Sequence, residues 1–363
     1  MMRTVKHFSL HRIAGTELRV VSDVEAGVLP VIQAEEAVIH GYVSQETRFL
    51  GENGFLSRRW LHHWVTLFIL QDLQPLVRQL TPSPALSLAE GGSSLPPGGA
   101  AALEYRPVVN VYDLTDPAGC HVFVNRKAMI KEGYWDDALA IQGLLAHEHA
   151  HPLAENETTQ VSRQLNLILS PQSEALSLQS SDLGLRTKDL LTLLADKLCL
   201  YAPRELFANE MTIRSGFGEA LFHLDQRSMA NASLSVAGRE ELRRHLQQQV
   251  ASGNLTPQGA DLLLLIGDLR GYLDLALEVA PFYRTGRKSD AQELEAVLEA
   301  EVFPHLEPEV AQAYIALREQ YIALRADLTP PELIAWGEGV LNILAEALAE
   351  KGLNLTASFV DGR

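Results

Sequence analysis

The five residues His147-Glu148-His149-Ala150-His151 constrain the fold of this chain more than any other stretch. Histidines four residues apart lie about 40° from one another around a helix axis, so on a helix His147 and His151 converge on one point. Glu148, one position beyond the first, can then face a water held at that point. His149 falls about 200° from His147 and is expected to point away, packed or facing solvent. On a strand the outcome differs, because alternation sets all three histidines on one face. That alternative requires many β-strands.

The flanking residues supply helix signals. Asp136 and Asp137 stand where a helix N-terminus favours negative charge. Leu139, Leu144 and Leu145 give the segment an apolar side. Pro152 directly follows His151 and disfavours helical geometry there. The helix is therefore expected to stop or kink at its second histidine.

Two imidazoles and a water do not hold zinc well, and a catalytic site usually adds one more protein ligand. The best candidate is Glu205, in Pro203-Arg204-Glu205-Leu206-Phe207-Ala208-Asn209-Glu210. Asn209 lies one helical turn on, on the same face, where it could hydrogen-bond a ligand histidine. Glu210 is the alternative third ligand, rotated by about 140° from Glu205, or else an ion-pair partner of Arg214. Glu157 is a further candidate. It stands ten residues after His147, where the longer H-E-x-x-H-x-x-G-x-x-H signature puts its last ligand. Ala154 replaces the glycine of that signature.

A strand, a helix bearing H-E-x-x-H and a downstream helix bearing E-x-x-x-N resemble the layout of gluzincin metallopeptidases, most of all the HtpX and CAAX-prenyl-protease type. The likeness covers residues 107–215. Asn209 stands where those enzymes usually have Asp, and their transmembrane helices have no counterpart here, which leaves a soluble relative. The resemblance implies a zincin-like core, a zinc ion on His147, His151 and Glu205, and hydrolysis of peptide bonds. Glu148 would act as general base and later return the proton to the leaving amine. His121–Asn125 could be an edge strand on which an extended substrate peptide lies. Tyr201 and His223 are candidate donors to the developing oxyanion.

Composition narrows the remaining classes. A net charge of −16 without a basic stripe argues against nucleic acid as a partner. Two cysteines, Cys120 and Cys199, cannot form a disulfide framework and suit a reducing compartment. Cys199 reads as a buried small residue, and His62 and His63 as structural. The window from Trp60 to Leu70 is too short to span a bilayer and reads as an amphipathic helix. With no secretory apolar segment at the start, a cytoplasmic location is expected, and oligomeric state is not readable.

The expected class is α+β and predominantly helical, with a small antiparallel sheet. Residues 1–80 form an N-terminal strand and helical region, with a strand at 17–21 and helices over 31–50 and 55–80. A Gly/Pro/Ser-rich loop follows at 81–100. The catalytic core spans 101–232, with strands at 107–112 and 121–125 and a polar helix at 158–169. Residues 233–363 form a helical C-terminal region broken at Pro257, Pro281, Pro304 and Pro330. A competing function is a helical interaction protein whose metal site is structural and non-catalytic.

Overall fold

The computed structural model describes residues 5–44, 60, 62–73, 106–113, 118–172 and 181–361. The loop expected at 81–100 lies outside the described residues, as do residues 45–50 of the helix expected over 31–50. The chain divides into two compact units, residues 1–155 with 211–224, and residues 156–210 with 225–363. The class is α+β and mostly helical.

The first unit opens with a hairpin of β1 (His7–Ile13) and β2 (Thr16–Ser22). Its two-residue turn places Ala14 at φ +47° and Gly15 at φ +97°. Positive φ at both positions matches the twist of the flanking strands. Helix α1 (Leu29–Ser44) then carries the chain to β3 (Trp64–Leu70), and β4 (Val108–Tyr112) and β5 (Gly119–Asn125) complete a sheet of order β1-β2-β3-β5-β4.

Three expectations are corrected here. The sheet is mixed rather than antiparallel, since β2–β3 and β3–β5 run parallel. Residues 64–70 form a strand and not a helix. Val65, Leu67 and Ile69 are wholly buried in β3, which is paired on both sides. An apolar run of that length has no period to separate helix from strand, and its β-branched and aromatic residues favour the latter. Finally, β5 is interior, and β4 forms the edge.

Helix α2 (Arg126–Lys131) follows β5, and α3 (Ala138–Leu153) carries the histidine motif. Asp137 caps α3 by accepting from the Ala140 backbone N–H at 3.1 Å. Contrary to expectation, α3 does not end at His151. It continues through Pro152 to Leu153 and is closed by Ala154 donating to the Ala150 carbonyl. Proline in the last turn removes one N–H, and the carbonyl so deprived is that of Glu148, four residues back. The Asn110 side-chain amide donates to that carbonyl at 3.2 Å. The hydrogen bond that proline removes from the helix is thus replaced from β4.

Two close approaches fix α3. It packs against α1, whose Tyr42 hydroxyl donates to the Ala146 carbonyl at 2.7 Å. Gly143 meets the first turn of the helix starting at Gly218. A Cβ at position 143 would lie 2.6 Å from the Ala220 carbonyl oxygen, so only glycine allows this spacing.

The second unit contains α4 (Glu157–Ser162), β6 (Leu165–Gln172), α5 (Ser181–Asp196) and, after a π-helical turn at Lys197–Tyr201, α6 (Ala202–Thr212). Helices α7 (Gly218–Ala251), α8 (Pro257–Tyr272), α9 (Ala276–Arg284), α10 (Lys288–Val297), α11 (Pro308–Ile322) and α12 (Pro330–Ala349) follow, then β7 (Asn354–Asp361). Leu265, Leu269, Phe282, Leu294, Leu317 and Tyr321 lie at the core of these helices.

The polar helix expected at 158–169 is a correction: α4 stops at Ser162, and β6 pairs antiparallel with β7. Leu165, Leu167 and Leu169 are buried, while Asn166, Ile168 and Ser170 are exposed, the period of a half-buried strand. Pro281 does not break its helix but lies inside α9. Among the described residues no helix is long and apolar enough to cross a membrane.

Candidate metal centre

Helix α3 brings His147 and His151 together as their spacing requires. Their ring centroids are 4.7 Å apart with the planes at 82°. His147 is half-buried and His151 nearly closed from solvent. Glu205, the expected third ligand, stands half-buried in the first turn of α6, in the second unit. Two imidazoles and a carboxylate form a donor set suited to zinc.

Glu148 is held from two directions by one residue of the edge strand. The Asn110 backbone N–H donates to Glu148 Oε2 at 3.2 Å, and the Asn110 side chain holds the Glu148 carbonyl. That N–H points away from β5, so the outer edge of β4 runs past the carboxylate. Asn110 was not singled out by its sequence. Its only signal is indirect: Pro152 leaves the Glu148 carbonyl in need of a donor.

The other carboxylates have settled surroundings. Arg284 Nε donates to Glu210 Oε2 at 2.8 Å, and both side chains are largely buried. Glu157 is exposed in the first turn of α4. The Asn209 amide donates to the Leu277 carbonyl at 3.1 Å. His223 pairs through Nε2 with Asp137 Oδ2 at 2.7 Å, so it is tied to the residue that caps α3. Tyr201 is half-buried on the π-helical turn.

His149 points to the other side of α3, as its angle demands, and is wholly buried. Its Nε2–H donates to Glu35 Oε1 of α1 at 2.8 Å. Burial works against a charged imidazole, but the facing Glu35 carboxylate and Cys120 outweigh it, so His149 is pushed up to about 10. Burial also raises the Cys120 thiol. His62, Cys120 and His149 offer ligand atoms within 4.8 Å of one another. Glu35, His62 and Cys120 carry no motif spacing to betray this. They converge because β3 pairs with β5 and α1 packs on α3.

No family model, curated protein or solved structure matches the chain.

Proposed function

We propose that the chain is a zinc-dependent peptidase with a zincin-like core, a gluzincin by its ligand set. The observation that carries this reading is the convergence of His147 and His151 on α3, with Glu148 between them held at the outer edge of β4. His147 and His151 would hold the ion through their imidazoles, with Glu205 as the third ligand that the resemblance implies. Bound zinc supplies Lewis-acid polarisation of the scissile carbonyl and makes water a nucleophile near neutral pH.

Glu148 takes the proton from the attacking water and hands it to the leaving amine. Its carboxylate keeps a fixed position because Asn110 anchors both its oxygen and its backbone carbonyl. The outer edge of β4 is the surface on which an extended peptide adds as a further strand. This assigns to β4 the role expected of residues 121–125, which are paired on both sides.

Purified protein is expected to carry zinc and to cleave unstructured peptides in a library screen. Glu148→Gln should retain the metal and lose activity by about 10²–10⁴-fold, the usual contribution of a general base. Unchanged cleavage in Glu148→Gln would overturn the reading.

A further inference from the structure

We propose that His62, Cys120 and His149 form a second metal site that binds a zinc ion in the interior of the first unit, with Glu35 orienting His149. All three donor side chains are buried: His62 is 4% exposed, Cys120 1% and His149 0%. Their ligand atoms lie within 4.8 Å of one another. Tetrahedral zinc spaces nitrogen and sulfur donors roughly 3.5 Å apart, so binding needs a contraction of at most about 1.3 Å.

The second observation is a set of unused polar atoms. Glu35 Oε2 is fully buried without a hydrogen-bond partner, and His149 Nδ1, equally buried, has no nitrogen or oxygen partner and faces the Cys120 thiol. Buried polar groups are nearly always paired, and a ring nitrogen whose neighbours are a thiol and a second imidazole is placed as a ligand. With Nε2–H held by Glu35, Nδ1 is the nitrogen that gives up its proton on binding and offers a lone pair on the Cys120 side. A carboxylate on the far nitrogen of a ligand histidine is the usual support of a zinc-binding imidazole.

The backbone around the site is equally fixed. Thr16 Oγ1 and Trp60 Nε1 donate to the His62 carbonyl at 2.9 and 3.2 Å. The Trp60 ring lies against both His62 and His149. Cys120 is held in β5, where it pairs across from Val65 of β3.

Charge and protons balance. On binding, Cys120 gives its thiol proton and His149 Nδ1 its proton to solvent, while Nε2–H stays on Glu35. A doubly positive ion then faces one thiolate and one carboxylate, which leaves the buried group neutral. A water completes the four positions. Burial of all three donors shuts this ion away from a substrate, whereas the His147 face is only half-buried.

The test uses the full chain, stripped by a chelator and titrated with cobalt(II). Two equivalents should bind, with a sulfur-to-cobalt charge-transfer band. His147→Ala should lose one equivalent and keep the band, which separates this site from the peptidase reading. Cys120→Ala should lose the band, and Cys199→Ala should keep it. Should Cys120→Ala not fold, X-ray absorption of the zinc-loaded wild type still decides, with sulfur expected at about 2.3 Å. Since the chain has only two cysteines, retention of that sulfur in Cys199→Ala assigns it to Cys120. A folded wild type that binds cobalt without the band, or a band lost in Cys199→Ala, overturns the proposal.

Discussion

The two sides of α3 hold the same residue types under opposite conditions. His147 and His151 sit on a partly open side, next to a carboxylate that the edge strand steadies from without. His149, midway between them in the chain, is sealed against Glu35, Trp60 and Cys120. An imidazole on the first side can meet a substrate and exchange water. On the second it meets only buried side chains or an ion enclosed among them. Side of the helix, and not residue type, divides partial exposure from full burial here.

The sharpest way to break this contrast is Glu35→Ala, which leaves the buried His149 without its acceptor. Removing one partner of a buried pair costs about 3–5 kcal/mol. Denaturant unfolding of metal-free protein should show a loss of that size, and a loss within error would mean that the closed side contributes no architecture. Gly143→Ala acts on both sides at once by driving a Cβ toward the Ala220 carbonyl. We expect a cost of about 2 kcal/mol, read as a lowered Tm, with zinc retention and cleavage falling together.

On the open side, Asn110→Ala should cost about 1–2 kcal/mol by leaving the Glu148 carbonyl without its donor. Adding Pro152→Ala supplies a helical N–H for that carbonyl, so the double variant should recover most of the loss. Strictly additive effects in the double-mutant cycle would show that Asn110 and Pro152 do not share this acceptor.

The smallest effect lies in the second unit and serves as a control. Burial, then the neighbouring charge of Glu278, raise Asp225 well above its ordinary 3.8. An acid raised in the folded state contributes stability that is complete below its unfolded value and is lost as pH climbs through the folded one. Asp225→Asn should therefore gain up to about 1 kcal/mol at about pH 7 and nothing below pH 3.8. Neither side of α3 should respond, which equal zinc content in Asp225→Asn and wild type at about pH 7 will check.

How much was legible differed by element. The angle between His147 and His151, and the opposite direction of His149, follow from helical geometry and were readable residue by residue. The strand at 64–70 was not, because apolar residues fill both of its faces and leave no period in the sequence, although only the Val65, Leu67 and Ile69 face is fully buried. The alternation of Leu165, Leu167 and Leu169 was present in the sequence, yet β6 is understood only through its pairing with β7, nearly two hundred positions on. Pro152 gave a correct local rule and a wrong outcome, since the lost hydrogen bond is replaced by Asn110 from another element.

The sequence by itself determined which side chains share a side of α3, because that depends only on the rotation per residue within one helix. What each side meets was decided by the tertiary structure. Glu35, His62, Asn110 and Cys120 lie far from the motif along the chain, and only strand register and helix packing set them beside it. Local geometry is written in neighbouring residues, whereas burial and partnership arise from contacts whose closure no short window of sequence contains.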